Sequence, residues 1–273
     1  MSPFACPVCG LRLERLEKAY ACANGHSFDV ASEGYVYLLQ PNKKHSKAPG
    51  DDGKMVAARR RFLETGRYRI FSDALNELAL RCLPKGGDAV DAGCGEGYYT
   101  GRLSEVFASR GVRTGLCGFD ISKTAVRLAA RKYRSIPFAV GSMFGIPLPD
   151  ASADLLTDVF APVVPEEFAR VVKPGGAMIL AVPSERHLYG LKKILYDEPY
   201  ENERRDTEYP GFRFLKRVPV RGKIETDDPQ VMGDLFAMTP YFWKTPREGC
   251  ERLAAAARLE TETGFDFLLY RRE

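Results

Sequence analysis

No stretch of the 273-residue sequence approaches the roughly 18 consecutive apolar residues needed to cross a bilayer. Met1-Ser2-Pro3-Phe4 has neither the basic flank nor the apolar core of an export signal. A soluble, cytoplasmic protein with no membrane partner is therefore expected. Cysteine is scarce and odd in number, at seven, and three of the seven fall close together near the N-terminus, which argues against a disulfide framework. Internal repeats and low-complexity tracts are also missing. The net charge of +4 is small for a polyanion partner until it is resolved along the chain. Residues 1–70 hold 12 Lys/Arg against 7 Asp/Glu, whereas the remainder is almost balanced at 28 against 29. The excess lies in Lys43, Lys44, His45 and Lys47 and in Arg59-Arg60-Arg61 with Arg67 and Arg69. Such a patch suits phosphate contact, although a solvated linker and an exposed helix face would look the same.

What is present divides into three parts. Residues 1–40 read as a small ribbon with two Cys-containing turns, too short to bury a core without a staple. Residues 41–70 read as a basic linker, rich in proline and glycine, followed by a helix from Met55. Residues 71–273 show the alternation of a doubly wound α/β sheet. A helix is predicted at about 71–83, then strand 88–91, helix 99–109, strand 113–119, helix 123–133 and strand 138–140. Strand 153–159 and helix 165–172 follow, and Lys173-Pro174-Gly175-Gly176 is predicted to break the chain before strand 177–182. Residues 184 to about 212 look irregular, and strands are predicted again at 213–225 and 259–271.

The glycine turn Gly93-Cys94-Gly95-Glu96-Gly97 follows a strand ending in Asp91 and opens a helix, so backbone can approach a ligand without Cβ clashes. Asp120 stands 23 residues beyond Gly97 at the tip of the next strand, followed by Ile121, where a carboxylate can accept from both ribose hydroxyls. Turn and late acid together favour S-adenosylmethionine over a nicotinamide or flavin. The helix N-terminus would then meet the carboxylate of its methionine part. Gly141-Ser142-Met143 at the following strand end should flank the adenine through backbone and Met143, an ordinary strand-to-helix turn being the plainer reading.

Cys6-x2-Cys9 and Cys22-x3-His26, twelve residues apart, place four soft or borderline ligands on two knuckles, the spacing of closed tetrahedral zinc. With four protein ligands no position is left for water, so the metal is expected to be structural rather than catalytic.

The ribbon Cys6…His26, the following Phe28-Asp29-Val30…Glu33-Gly34-Tyr35-Val36, the block Asp91-Ala-Gly-Cys-Gly-Glu-Gly-Tyr-Tyr-Thr100 and Phe160-Ala161-Pro162 together carry a resemblance. The chain resembles the RlmA/RrmA family of 23S rRNA (guanine-N1) methyltransferases, with its tylosin-resistance relatives. The likeness runs from Cys6 to about Leu191 and resumes at Met238-Thr239-Pro240. It implies a Rossmann-like class I methyltransferase sheet with an N-terminal zinc ribbon, and zinc on Cys6, Cys9, Cys22 and His26. It also implies adenosylmethionine near Tyr68, Tyr99, Thr100 and His187, a target guanine in a domain II hairpin of 23S rRNA, and a homodimer. The residues themselves suggest less for two of these: Tyr68 reads as a packing residue and His187 as a surface histidine. Residues 197–223 match least well.

Guanine N1 is a poor nucleophile until its proton leaves, so a carboxylate is expected to remove it, with Asp158 near the fourth strand tip as the candidate base. A target base withdrawn from its stack needs an aromatic platform, for which Phe160, Tyr99 or Tyr241-Phe242-Trp243 are available. The competing readings are a methyltransferase acting on a small molecule such as an antibiotic or quinone, and a ribbon-based RNA-binding protein with a silent catalytic domain. Salt sensitivity and adenosylmethionine binding discriminate them.

Overall fold

The computed structural model describes residues 2–40, 50–204 and 208–273. The Lys43, Lys44, His45 and Lys47 run lies outside the described residues.

The N-terminal ribbon is a three-stranded antiparallel sheet of β1 (Glu14–Arg15), β2 (Ala19–Ala21) and β3 (Ser27–Asp29) in that order. Its few apolar side chains cannot close a core alone. Phe4, Leu13 and Tyr20 are buried in a cluster shared with Ile146 and Leu148 of the larger unit. The next strand, β4 (Val36–Tyr37), leaves the ribbon and pairs in parallel with Ala139–Val140, so the module ends as an edge of the main sheet.

That main sheet comprises β5 (Gly87–Ala92), β6 (Thr114–Asp120), β7 (Phe138–Val140), β8 (Ala153–Val159), β9 (Val172–Pro183), β10 (Phe212–Thr226) and β11 (Leu259–Arg272). The order across the eight strands is β10-β11-β9-β8-β5-β6-β7-β4, with β11 antiparallel to both of its neighbours. Interior strands such as Met178–Val182 are apolar throughout because both faces are covered. Alternate residues feed two cores: Ala89, Leu155 and Ile179 point to one, and Val90, Leu156 and Met178 to the other. Strand order reverses between β5 and β8, and in an open α/β sheet the carboxyl ends of strands at such a reversal form the ligand crevice.

The helices are α1 (Gly53–Glu64), α2 (Arg69–Cys82), α3 (Tyr98–Ser109), α4 (Lys123–Lys132), α5 (Pro165–Val171), α6 (Tyr189–Leu195), α7 (Pro229–Ala237) and α8 (Arg247–Ala255). Through α5 they follow the predicted spans to within two residues.

Two expectations change, and a stretch left unassigned in the sequence proves helical. Lys173–Gly176 does not end pairing but forms a bulge inside β9, where the register against β8 jumps from Val172 to Ala177 and Gly175 turns to φ +76°. The 184–212 segment contains α6, hidden because Gly190, Lys192 and Lys193 interrupt the apolar pattern of Tyr189–Leu195. Residues 227–258, given no element above, form α7 and α8 against α1 and α6; α7 starts at Asp228, whose side chain accepts from the Gln230 N–H, with Pro229 following.

Candidate active site and metal centre

The ends of β5, β6, β7 and β8 meet over the glycine turn. Gly93 adopts φ +74°, and a Cβ there would lie 2.4 Å from Cβ of Ala161 and 3.2 Å from Cε of Met143. Only glycine lets the turns after β5, β7 and β8 close on one another. Gly97, at φ +83°, caps α3 in the left-handed region.

Asp91 is buried. One of its oxygens accepts from the Thr100 hydroxyl and the other from the Thr157 hydroxyl at 3.1 Å. Burial raises its carboxyl to about 6 against those two hydrogen bonds. Asp120 accepts from the Gly95 N–H at 3.0 Å and the Ser122 N–H at 2.7 Å, one on each oxygen. Each oxygen keeps a lone pair for further donors. Beside it, Gly50 packs so closely on Ile121 and Ser122 that a Cβ would stand 2.9 Å from the Ile121 side chain, and the Ser122 hydroxyl donates to the Asp51 carbonyl at 3.0 Å. The chain entering α1 therefore lies across the tip of β6. Glu96 is buried in the turn, Ser142 accepts from the Phe144 N–H at 3.1 Å, and Tyr99 stands edge-on to Tyr98.

Two residues that the sequence alone left as packing and surface groups prove to be neighbours. His187 is buried, correcting the surface reading. Its Nδ1 accepts from the Gly264 N–H at 3.1 Å and its Nε2 lies 3.4 Å from the Tyr68 hydroxyl. Burial, with lesser contributions from Lys192 and Arg221, lowers its pKa to about 3, so the ring is neutral. Tyr68 is indeed packed, edge-to-face with Phe62, Phe71 and Phe265.

Asp158 at the end of β8 is buried, and one oxygen accepts from the Ala161 N–H at 2.9 Å. The other has no hydrogen-bond partner among the described residues. Burial pushes this carboxyl well above its ordinary range; the Ala161 hydrogen bond opposes and Asp91 adds to the rise. Phe160 is 45% exposed, held at φ +62° and set edge-on to Phe265 at 4.4 Å, so it both closes the core and presents a face outward. A left-handed backbone on a bulky residue stores strain, a feature that concentrates at functional sites. Trp243 and Phe242 are exposed.

Sequence reasoning missed Lys192. Its Nζ is enclosed, donating to the Tyr200 carbonyl at 2.9 Å and Asn202 Oδ1 at 2.8 Å over the Tyr200 ring. Asn202 in turn donates to the carbonyls of Ser184 and His187, which fixes the turn carrying His187. The arginines read as phosphate contacts are largely engaged elsewhere: Arg59 with Asp51, Arg60 with Glu64 and Arg61 with Asp234.

In the ribbon, the ligand atoms of Cys6, Cys9, Cys22 and His26 all lie within 4.8 Å of one another. Cys9 and Cys22 sulfurs are 3.7 Å apart, and His26 Nδ1 is 3.4 Å from Cys22 Sγ and 3.6 Å from Cys6 Sγ. A tetrahedron with metal–sulfur bonds of about 2.3 Å has edges of about 3.8 Å, so these spacings are the edges of a zinc site rather than thiol hydrogen bonds. The set fits one structural zinc with no ligand position over.

A glycine turn between an acid-tipped strand and a helix, at the reversal of a sheet with one antiparallel strand next to its edge, defines an S-adenosylmethionine-dependent methyltransferase of class I carrying a zinc ribbon. Residues 4–47 match the zinc-ribbon family described as RlmA, N-terminal, and residues 89–176 match the methyltransferase domain family. The 23S rRNA (guanine(748)-N1)-methyltransferase of Streptomyces fradiae is 33% identical over 257 residues, covering 91% of this chain and 89% of its own. Two proteins with the provisional name 23S rRNA (guanine-N1) methyltransferase are also similar. The one from Micromonospora griseorubida is 35% identical, with 94% of this chain and 93% of its own covered; for the one from Bacillus subtilis the figures are 30%, 98% and 96%. The chain belongs to the RlmA family of 23S rRNA (guanine-N1) methyltransferases.

Proposed function

We propose that the protein transfers the methyl group of S-adenosylmethionine to N1 of a guanine in a domain II hairpin of 23S rRNA. The observation that carries this reading is similarity along nine-tenths of the chain, ribbon and catalytic unit together, to an enzyme named as a guanine-N1 methyltransferase of 23S rRNA. The chain has no helix among its described residues long and apolar enough to cross a membrane, which suits work on ribosomal RNA in the cytoplasm. A homodimer, each copy offering a ribbon, is part of the same reading.

Adenosylmethionine supplies the electrophilic methyl. Its holders are Gly93, Gly95, Glu96 and Gly97 of the turn, Asp91 with Thr100 beneath it, and Asp120 with Ile121 at the ribose. Ser142 and Met143 take the adenine side, and Tyr68, Tyr99 and His187 the methionine side. Asp158 is the base. Its unpartnered oxygen is free to accept the N1 proton, and burial makes that oxygen more basic than an exposed aspartate. Phe160, held outward, is the platform for the withdrawn guanine. Cys6, Cys9, Cys22 and His26 hold zinc that shapes the ribbon without entering the chemistry.

Incubation with methyl-labelled adenosylmethionine and unmodified 23S rRNA, then nucleoside analysis, tests the proposal. Label in 1-methylguanosine is expected. Label in another nucleoside, or only in a quinone or macrolide offered in parallel, would overturn it.

A further inference from the structure

The Ser142–Leu148 loop after β7 is gripped from two sides. On one side stands the metal knuckle: the Ala5 N–H, one residue before the ligand Cys6, donates to the Pro147 carbonyl at 2.9 Å. Ile146 and Leu148 join Phe4, Leu13 and Tyr20 in one buried cluster. On the other side stands Arg170 of α5, whose guanidinium donates to the Leu148 carbonyl and the Ile146 carbonyl, both at 2.8 Å. The same guanidinium makes a two-pronged pair with Glu167, and Glu167 accepts from the Ile146 N–H at 2.6 Å. A cavity of about 320 Å³ lies beside both grips, lined by Cys6, Gly10, Ile146 and Arg170 among others. The gripped loop reaches the glycine turn: Met143 Cε lies 3.2 Å from where a Gly93 Cβ would stand. Ser142 and Gly145 bridge its neck, and Gly141 is too close to Pro147 for any larger residue.

We propose that the zinc knuckle and the Arg170–Glu167 pair are the two jaws of a clamp that sets the shape of this loop. Metal in the ribbon thereby governs adenosylmethionine affinity and is not confined to presenting the ribbon to RNA. The proposal rests on the reading of Met143 as an adenine neighbour. Arg170 and Glu167 act through the loop they bind and are positioning residues. Arginine is required, because its planar fork spans two carbonyls and a carboxylate at once, which a lysine ammonium cannot do. Without metal, Cys6 and Cys9 are not tied to Cys22 and His26, Ala5 loses its fixed position, and the loop loses one jaw.

The test is calorimetric titration of adenosylmethionine into the full chain, metal-loaded and chelator-stripped, and into Arg170→Ala, Arg170→Lys and Met143→Ala. Zinc content and near-UV circular dichroism are recorded for each, and amide exchange is followed across 142–148. Loss of either jaw should raise Kd by about tenfold, the worth of roughly one lost hydrogen bond. It should also speed exchange of the Ile146 amide and raise KM with kcat within about twofold. Arg170→Lys should lie between wild type and Arg170→Ala. Stripping metal from Arg170→Ala should cost less than the two losses combined, since both act on one loop. If Met143→Ala weakens binding while metal removal and Arg170→Ala leave Kd and exchange unchanged, the clamp is wrong and the adenine reading stands. If Met143→Ala also leaves Kd unchanged, the loop is not at the adenine and both fall. A stripped chain without native circular dichroism shifts the decision to the metal-loaded Arg170→Lys variant, where unchanged Kd and exchange overturn the proposal.

Discussion

The Tyr68 hydroxyl lies 3.4 Å from Nε2 of His187, whose Nδ1 already accepts the Gly264 N–H. That acceptance fixes the tautomer: the neutral ring carries its proton on Nε2 and donates it to Tyr68. The tyrosine's own proton is then left for a ligand. Tyr68→Phe keeps the three edge-to-face contacts and should cost at most about 1 kcal/mol of stability. Under the proposed role it should raise the adenosylmethionine Kd by about fivefold or more, measured by calorimetry. An unchanged Kd would remove Tyr68 from the cofactor site.

The same histidine makes stability depend on pH. Its folded pKa, near 3, lies below the ordinary value of 6.5, so its contribution is present above pH 6.5 and is lost as pH falls from there toward 3. At pH 5 the loss should be about 2 kcal/mol relative to pH 7.5. His187→Gln, which can still accept from Gly264 and donate to Tyr68, should lack that increment in urea unfolding at the two pH values. Equal pH slopes for both proteins would place the acid sensitivity elsewhere.

The sheet and the metal site were legible in the sequence because their signals are local. Strand Phe138–Val140 and the spans of the first five β/α units follow from apolar runs between turn residues, and the zinc site follows from two spacings. His187 was not legible, since it is held by the Gly264 N–H, 77 positions away and not recognisable as its partner in the sequence. The pairing of Arg61 with Asp234, 173 positions away, was equally out of reach and converts an apparent phosphate contact into a tie between α1 and α7. Arg170 and Glu167 look like surface helix charges until the loop they bind is brought back to them.

Asp91 behaves in the opposite sense to His187. Its folded pKa is raised from 3.8 to about 6, so its contribution is fully present below about pH 3.8 and is lost as pH rises through 6. At pH 8 the buried charge costs on the order of 3 kcal/mol in the ligand-free protein. Asp91→Asn should therefore melt higher than wild type at pH 8, with the gain fading toward pH 4, while binding adenosylmethionine more weakly. A variant that melts lower at pH 8 would show that the Thr100 and Thr157 hydrogen bonds outweigh desolvation.

Asp158→Asn preserves an acceptor for the Ala161 N–H and removes the basic oxygen. Single-turnover methylation should slow by about a hundredfold or more, with adenosylmethionine affinity unchanged. Near-normal turnover would reject Asp158 as the base.

The proposed reaction puts a methyl group on the pairing edge of a guanine in 23S rRNA. The most direct measurement is reverse transcription across domain II after incubating unmodified rRNA with the zinc-loaded enzyme, with and without adenosylmethionine. A methyl on N1 blocks the pairing edge, so a single new stop one nucleotide before a hairpin guanine, present only with adenosylmethionine, is the predicted result. Read-through on both free rRNA and the ribosomal subunit, from enzyme shown to bind adenosylmethionine, would contradict it.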